Sequence, residues 1–91
     1  MNAGDFGRSK KGHDKGRLYV VTGISKNGEV LLCDGSIRPL AKPKKKNIIH
    51  VQPVIHIDEK YKEMCLQNGR FHDEGIKRAI RIYEKSIKEG D

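Results

Sequence analysis

Residues 18–33 read LYVVTGISKNGEVLLC, in which two apolar runs, the first rich in β-branched and aromatic residues, flank the turn Ser25-Lys26-Asn27-Gly28. Asn-Gly between apolar runs is the strongest short-range signal for a β-hairpin, because both residues tolerate a positive φ angle. We therefore predict strands over residues 18–24 and 29–33. Asp34-Gly35 is the next predicted turn, and a third strand over residues 36–40 completes a three-stranded meander.

Two further strands extend this predicted sheet. Residues 6–10 form the first, and residues 49–57 alternate apolar and polar side chains, with an interruption at Pro53. Five short strands suit a small barrel. The predicted fold class is thus mainly β with α: a five-stranded barrel over residues 1–57, followed by one or two C-terminal helices over residues 58–91.

The C-terminal part changes to helical spacing. Asp58 is the predicted N-cap of a short helix that ends near Asn68-Gly69, and Asp73 caps a longer helix. The short helix turns Tyr61, Met64 and Cys65 inward, and the long one carries the apolar stripe Ile76, Ile80, Tyr83 and Ile87. We expect this stripe to pack on the barrel or on a partner.

Positive charge is concentrated in the strand-rich part. Residues 1–56 carry the whole net charge of +7, because they contain 11 Lys and Arg and 4 Asp and Glu. Residues 57–91 are neutral, with 8 basic and 8 acidic residues. A basic module with a neutral appendage is typical of nucleic-acid binding, although an anionic membrane surface also attracts such a module. The basic side of the long helix, which includes Lys77 and Arg81, lies close to glutamates, so we expect it to be a solvated face.

Two basic segments carry most of this charge. The loop Gly12-His13-Asp14-Lys15-Gly16-Arg17 combines glycines, which allow tight turns, with cations, and such loops present N–H groups and charge to phosphate oxygens. In Lys42-Pro43-Lys44-Lys45-Lys46, proline keeps the chain extended and holds four lysines together, which suits a polyanion. The predicted RNA-binding residues are Lys11, Gly12, His13, Lys15, Gly16, Arg17, Arg38, Lys42, Lys44, Lys45 and Lys46.

These two segments, with the strand that follows the loop, resemble the KOW-type RNA-binding proteins, which are small SH3-like barrels that include large-subunit ribosomal proteins. The likeness covers roughly residues 4–56. The nearest resemblance is to a small bacterial group with such a domain. It implies a non-enzymatic protein that binds structured ribosomal RNA, with a role linked to the ribosome or translation and with ribonucleoprotein proteins as further partners. One departure is Gly7, which stands where the family has an aliphatic residue and which weakens a strand.

Other chemistry finds little support in the sequence. The four histidines and the two cysteines, Cys33 and Cys65, form no pair with metal-chelating spacing, and we expect free thiols, no metal and no cofactor. No nucleophile–base pair is recognisable, so no catalytic residue is predicted. With neither a transmembrane-length apolar stretch nor a signal-peptide core in the sequence, we expect a cytoplasmic monomer without a membrane partner.

Three alternatives stay open at this point. An SH3-like module of the transcription or translation machinery would bind protein through an exposed apolar groove. A small RNA-processing hydrolase would use His13 or His50 together with a second catalytic group. DNA could replace RNA as the ligand, because phosphate contacts alone do not distinguish the two.

Overall fold

A computed structural model describes residues 1–89, which form a five-stranded antiparallel sheet with a long C-terminal helix across one face. The strands are β1 (Phe6–Ser9), β2 (Leu18–Ile24), β3 (Glu29–Cys33), β4 (Lys44–Asn47) and β5 (Val51–Pro53). A 3₁₀ turn (Ile48–His50) joins β4 to β5. Then follow α1 (Glu59–Met64), a small hairpin of β6 (Leu66–Gln67) and β7 (Arg70–Phe71), and α2 (Asp73–Glu89).

The sheet has the strand order β4-β3-β2-β1-β5. The predicted hairpin is confirmed, since β2 and β3 have the bounds expected from the sequence. Gly28 takes a positive φ of 78° in its turn. Within residues 1–89 no ladder joins β4 to β5, so the sheet is open at this edge where a closed barrel was predicted.

The predicted third strand over residues 36–40 is wrong. These residues form a tight turn instead, in which the Asp34 carboxylate accepts hydrogen bonds from the N–H groups of Ser36 (2.9 Å) and Arg38 (2.8 Å). The strand next to β3 is the lysine segment itself, with Leu32 opposite Lys44 and Val30 opposite Lys46. A side-chain acceptor competes with strand pairing at the turn and leaves the β3 edge to the residues that follow.

Only residues 51–53 of the strand predicted over residues 49–57 form a strand, which is β5. Val51 is its one buried residue, whereas Ile49 and Ile55 are 64% and 70% exposed. Gly7 lies opposite both Tyr19 and Pro53, and a Cβ atom there would stand 2.6 Å from Cγ1 of Val51. The glycine therefore lets β1 and β5 approach closely, which explains its place in a buried strand.

Both faces of the sheet are buried. One face packs against the helices, and its cluster comprises Phe6, Leu18, Val20, Cys33, Tyr61, Cys65, Ile76, Ala79 and Ile80. The opposite face holds a second cluster of Tyr19, Val21, Val30, Leu32 and Val51, with Met1 against it. Residues of the predicted helical extension thus complete the core of the sheet, and the chain folds around shared apolar contacts.

The predicted cap of α1 is confirmed, and that of α2 is wrong. Helix α2 begins with Asp73 itself, whose carboxylate accepts a hydrogen bond from the N–H of Leu40 (2.8 Å), while Nδ1 of the preceding His72 accepts one from the N–H of Gly75 (3.3 Å). Asp58 accepts a hydrogen bond from the N–H of Lys60 (3.0 Å), as an N-cap does, but α1 ends at Met64. Asn68 and Gly69, the predicted helix end, have φ angles of 55° and 77° and form the two-residue turn between β6 and β7. On α2 the buried stripe stops before Ile87, which is 40% exposed.

Candidate nucleic-acid interface

The basic loop is a closed turn between β1 and β2. Gly12 and Gly16 have φ angles of 97° and 89°, a region that other residues enter only with strain. The Gly16 N–H donates to the Ser9 carbonyl (2.7 Å) and the Ser9 N–H donates to the Arg17 carbonyl (3.0 Å). The N–H groups of Lys15, Gly16 and Arg17 are bonded within the protein in this way, which leaves side chains as the main means of binding at this end of the loop.

Asp14 is the centre of the loop and points into the molecule. Its side chain is 9% exposed. Its carboxylate accepts hydrogen bonds from Oγ of Ser9 (2.9 Å) and the hydroxyl of Tyr19 (2.8 Å), and it pairs with Nζ of Lys44 (2.8 Å) and of Lys46 (2.9 Å). Burial alone would raise the pKa of Asp14, but these four donors hold it well below the ordinary value of 3.8. The carboxylate therefore stays ionised and joins the loop to β4.

The same contacts perturb Tyr19. Burial, together with the hydrogen bond to the Asp14 carboxylate, raises the pKa of Tyr19 to about 12. Its hydroxyl thus remains a donor at physiological pH.

The four lysines of the predicted binding segment are not equivalent. Side chains alternate along β4, so Lys44 and Lys46 turn toward Asp14 with side-chain exposures of 25% and 11%, while Lys45 points outward and is exposed. The Lys46 ammonium also donates to the Lys11 carbonyl (2.7 Å) and to the Ser9 hydroxyl. Lys44 and Lys46 therefore hold the loop in place, although both were predicted to contact RNA.

Two predicted arginines are tied to the turn after β3. Nη2 of Arg17 lies 3.3 Å from Oδ2 of Asp34, and about two fifths of the Arg17 side chain remains exposed. Arg38 is half-buried, and its backbone exchanges hydrogen bonds with Asp34. Arg17 retains an accessible guanidinium edge, whereas the visible contacts of Arg38 are those of a turn residue.

The remaining predicted residues are at the surface. Lys11, Lys15, Lys42 and Lys45 are exposed and form no ion pair within residues 1–89. His13 is exposed in the same loop. The sequence-based prediction did not include Asp14, Ser9 or Tyr19 among the site residues. The one available signal was the single acidic residue in an otherwise basic loop, since a carboxylate beside so many cations becomes their internal partner when it is buried.

Cysteine and histidine chemistry is inconspicuous in the described part of the chain. Cys33 and Cys65 are buried free thiols, and burial raises the pKa of both, that of Cys65 to about 12. Among residues 1–89, no three His, Cys, Asp or Glu side chains come together as metal ligands.

Over the same range, no helix has the length and apolar character needed to cross a bilayer. Comparison of the chain with models of known protein families finds no match, and neither does comparison with curated proteins.

Proposed function

We propose that this protein is a non-enzymatic RNA-binding protein of the KOW type, which binds structured RNA such as ribosomal RNA and acts on the ribosome or in translation. The observation that carries the proposal is the Asp14 network. It joins the basic loop to the lysine strand and leaves Lys11, Lys15, Lys42 and Lys45 exposed around that junction. Cations that are positioned by the fold and lack internal counter-charges suit the phosphates of a folded polyanion.

The strand arrangement supports an SH3-like barrel as the finer description of the fold. The first strand pairs with β2 on one side and with β5 on the other, and a 3₁₀ turn leads from β4 into β5. The two edges of the sheet are consequently neighbours in sequence. Lys46, on β4, reaches Ser9, on β1, through its ammonium group. A side-chain hydrogen bond thus joins β4 to β1, two strands that share no backbone pairing.

The aromatic residues favour phosphate and shape recognition. Phe6, Tyr19 and Tyr61 are buried, and Phe71 and Tyr83 are half-buried. No row of exposed rings is present on residues 1–89 to stack successive bases, as proteins that bind single strands require. Structured RNA read through its backbone is therefore the favoured ligand.

The decisive experiment measures the affinity for a structured RNA as a function of salt. Four unpaired lysines predict a slope of log K against log salt of about −3 to −4. Replacing Lys15 and Lys45 by alanine should flatten the slope by about 2 and weaken binding, whereas the matched pair Lys26→Ala and Lys88→Ala, both exposed, should change neither. A wild-type slope near zero, or equal behaviour of the two double variants, refutes the proposal.

Loop shape provides a charge-neutral test of the same surface. A Cβ atom at Gly16 meets nothing within 4 Å, so Gly16→Ala acts only through the positive φ. We expect weaker RNA binding with an unchanged salt slope, because the loop moves but no cation is lost. The same assay with RNA and DNA duplexes of one sequence shows which of the two ligands the protein prefers. The two duplexes differ in groove shape and in the 2′-hydroxyl.

A second candidate function is a protein-interaction module. It is favoured by exposed apolar side chains on several segments, namely Ile24, Ile37, Ile49 and Ile55. Isolated apolar residues are common on protein surfaces, so this observation weighs less than the clustered charge. Weak salt dependence of binding to a ribosomal or transcriptional protein, with no RNA affinity, would favour this second function.

A further inference from the structure

A cavity of about 440 Å³ opens beside the first half of α2, on a part of the molecule that the proposed interface does not include. Met64, at the end of α1, and Leu66, on β6, form its apolar side, and Gln67 contributes an amide. Leu66 is 41% exposed. The volume falls within the range of about 300–1,000 Å³ that small-molecule sites occupy. The cavity is large enough for one flat aromatic group and the polar group attached to it.

The rim of this cavity is strongly basic. Lys77, Arg78 and Arg81 line it, against one carboxylate, that of Glu74. All three cations are exposed, and none forms an ion pair within residues 1–89. An apolar side next to unpaired cations matches a ligand that has both an aromatic face and negative charge.

Two of these cations also connect the cavity to the basic loop. Lys77 and Arg81 line a second groove of about 310 Å³, which Arg17, Asp34 and Glu84 also line. As an i, i+4 pair they share one face of α2 and are about 6 Å apart along its axis. Consecutive phosphates of a nucleic-acid strand have a similar separation. A strand bound at Arg17 would therefore pass over Lys77 and Arg81 toward the cavity.

We propose that an unpaired nucleotide of the bound RNA enters this cavity, an inference that rests on the proposed RNA-binding function. Its base packs against Leu66 and Met64 and meets the Gln67 amide, which can both donate and accept hydrogen bonds. Its phosphates pair with Lys77 and Arg81, and the planar Arg78 guanidinium supplies a stacking surface. A paired base is held inside the helix by stacking and pairing, so only an unpaired nucleotide can turn outward to reach Met64 and Leu66.

An acidic peptide is the competing ligand, and the cavity fits it less well. A carboxylate side chain would satisfy the cations but would leave the surface of Met64 and Leu66 uncovered. A nucleotide combines an aromatic face and a charged group in one unit. The solvated face that the sequence predicted for this side of α2 is thereby reassigned to ligand binding.

The test compares two RNA hairpins that are identical except for one unpaired bulge nucleotide, using the full-length protein. We expect the wild type to bind the bulged hairpin about tenfold more tightly, as stacking one base allows. Leu66→Ala with Gln67→Ala should abolish this preference and leave affinity for the fully paired hairpin unchanged. Lys77→Ala with Arg81→Ala should weaken binding of the bulged hairpin and flatten its salt slope by about 2.

Lys85→Ala with Lys88→Ala is the matched control, because both residues lie on α2 beyond the cavity and should leave the preference intact. Thermal unfolding of each variant confirms that its fold is retained. If the wild type prefers neither hairpin, or if the Leu66 and Gln67 variant keeps the preference, the inference is wrong. The proposed function survives such a failure if Lys15→Ala with Lys45→Ala still weakens binding, and it fails by itself if the wild type shows no salt-dependent affinity.

Discussion

Replacing Asp14 by asparagine removes one negative charge and almost no volume from the most connected polar group of the protein. In the variant, the ammonium groups of Lys44 and Lys46 keep their positions against the sheet without a counter-charge. Removing one partner from a fully buried ion pair costs about 3–5 kcal/mol of stability, and the 25% exposure of Lys44 lowers this cost. We expect a loss of about 2–4 kcal/mol, which corresponds to a fall in melting temperature of about 10–25 °C.

Circular dichroism during thermal and urea unfolding measures this loss directly. Asp58→Asn is the matched control. It makes the same chemical change at an exposed helix N-cap, where asparagine is as good as aspartate, and it should change stability by less than about 0.5 kcal/mol. Equal effects of the two substitutions would show that the Asp14 network contributes nothing beyond an ordinary surface carboxylate.

The same substitution has a signature in pH. Because the pKa of Asp14 is lowered in the folded state, its contribution to stability is complete above the unfolded value near 4 and is lost as the pH falls below it. Wild-type stability should therefore decline from pH 5 to pH 2 more steeply than that of Asp14→Asn. Parallel pH profiles for the two proteins would contradict the assignment of this carboxylate as the internal counter-ion.

Three further predictions concern packing. Gly35→Ala should destabilise the protein by at least about 2 kcal/mol, because Gly35 has a φ of 78° and a Cβ there would stand 2.2 Å from the Asp73 carbonyl oxygen. Thermal unfolding measures this loss of stability, and an unchanged melting temperature would contradict the close contact. Cys33 and Cys65 should react with a thiol reagent at pH 8 only at the rate of unfolding, since both are buried with raised pKa values, and rapid labelling of the native protein would argue against this. A chain that stops after Ile57 should not fold, because one face of its sheet would lose the helices that cover it; a cooperative unfolding transition in this fragment would refute that expectation.

The elements that could be predicted from sequence are those in which local chemistry and tertiary packing agree. The strands β2 and β3 are apolar and flank an Asn-Gly turn, and α2 carries apolar residues at helical spacing. At β4 the two disagree. Lysine has a low β propensity, yet Lys44 and Lys46 pair with the open edge of β3 because their ammonium groups form ion pairs with Asp14.

The candidate site was predictable in its location and not in its internal contacts. Charge and glycine spacing identified both basic segments, and the structure brings them together. No pattern along the chain could show which lysines form internal ion pairs, since the pairing depends on the pleat of β4 and on the direction of the Asp14 side chain. The cavity beside α2 was equally hidden, because α1, the β6–β7 hairpin and α2 assemble it from separate turns of the chain.

The pairing of the first strand with the last elements constrains the time at which this protein can fold during synthesis. Arg8 contacts Glu84, 76 positions later, and the ring of Phe6 packs edge-on against Tyr83. At about 5–20 residues per second, the N-terminal strand waits roughly 4–15 s for these partners to be made. During that interval the apolar face of the strand is not covered, so synthesis of α2, and not formation of the early hairpin, sets the moment at which this fold is reached.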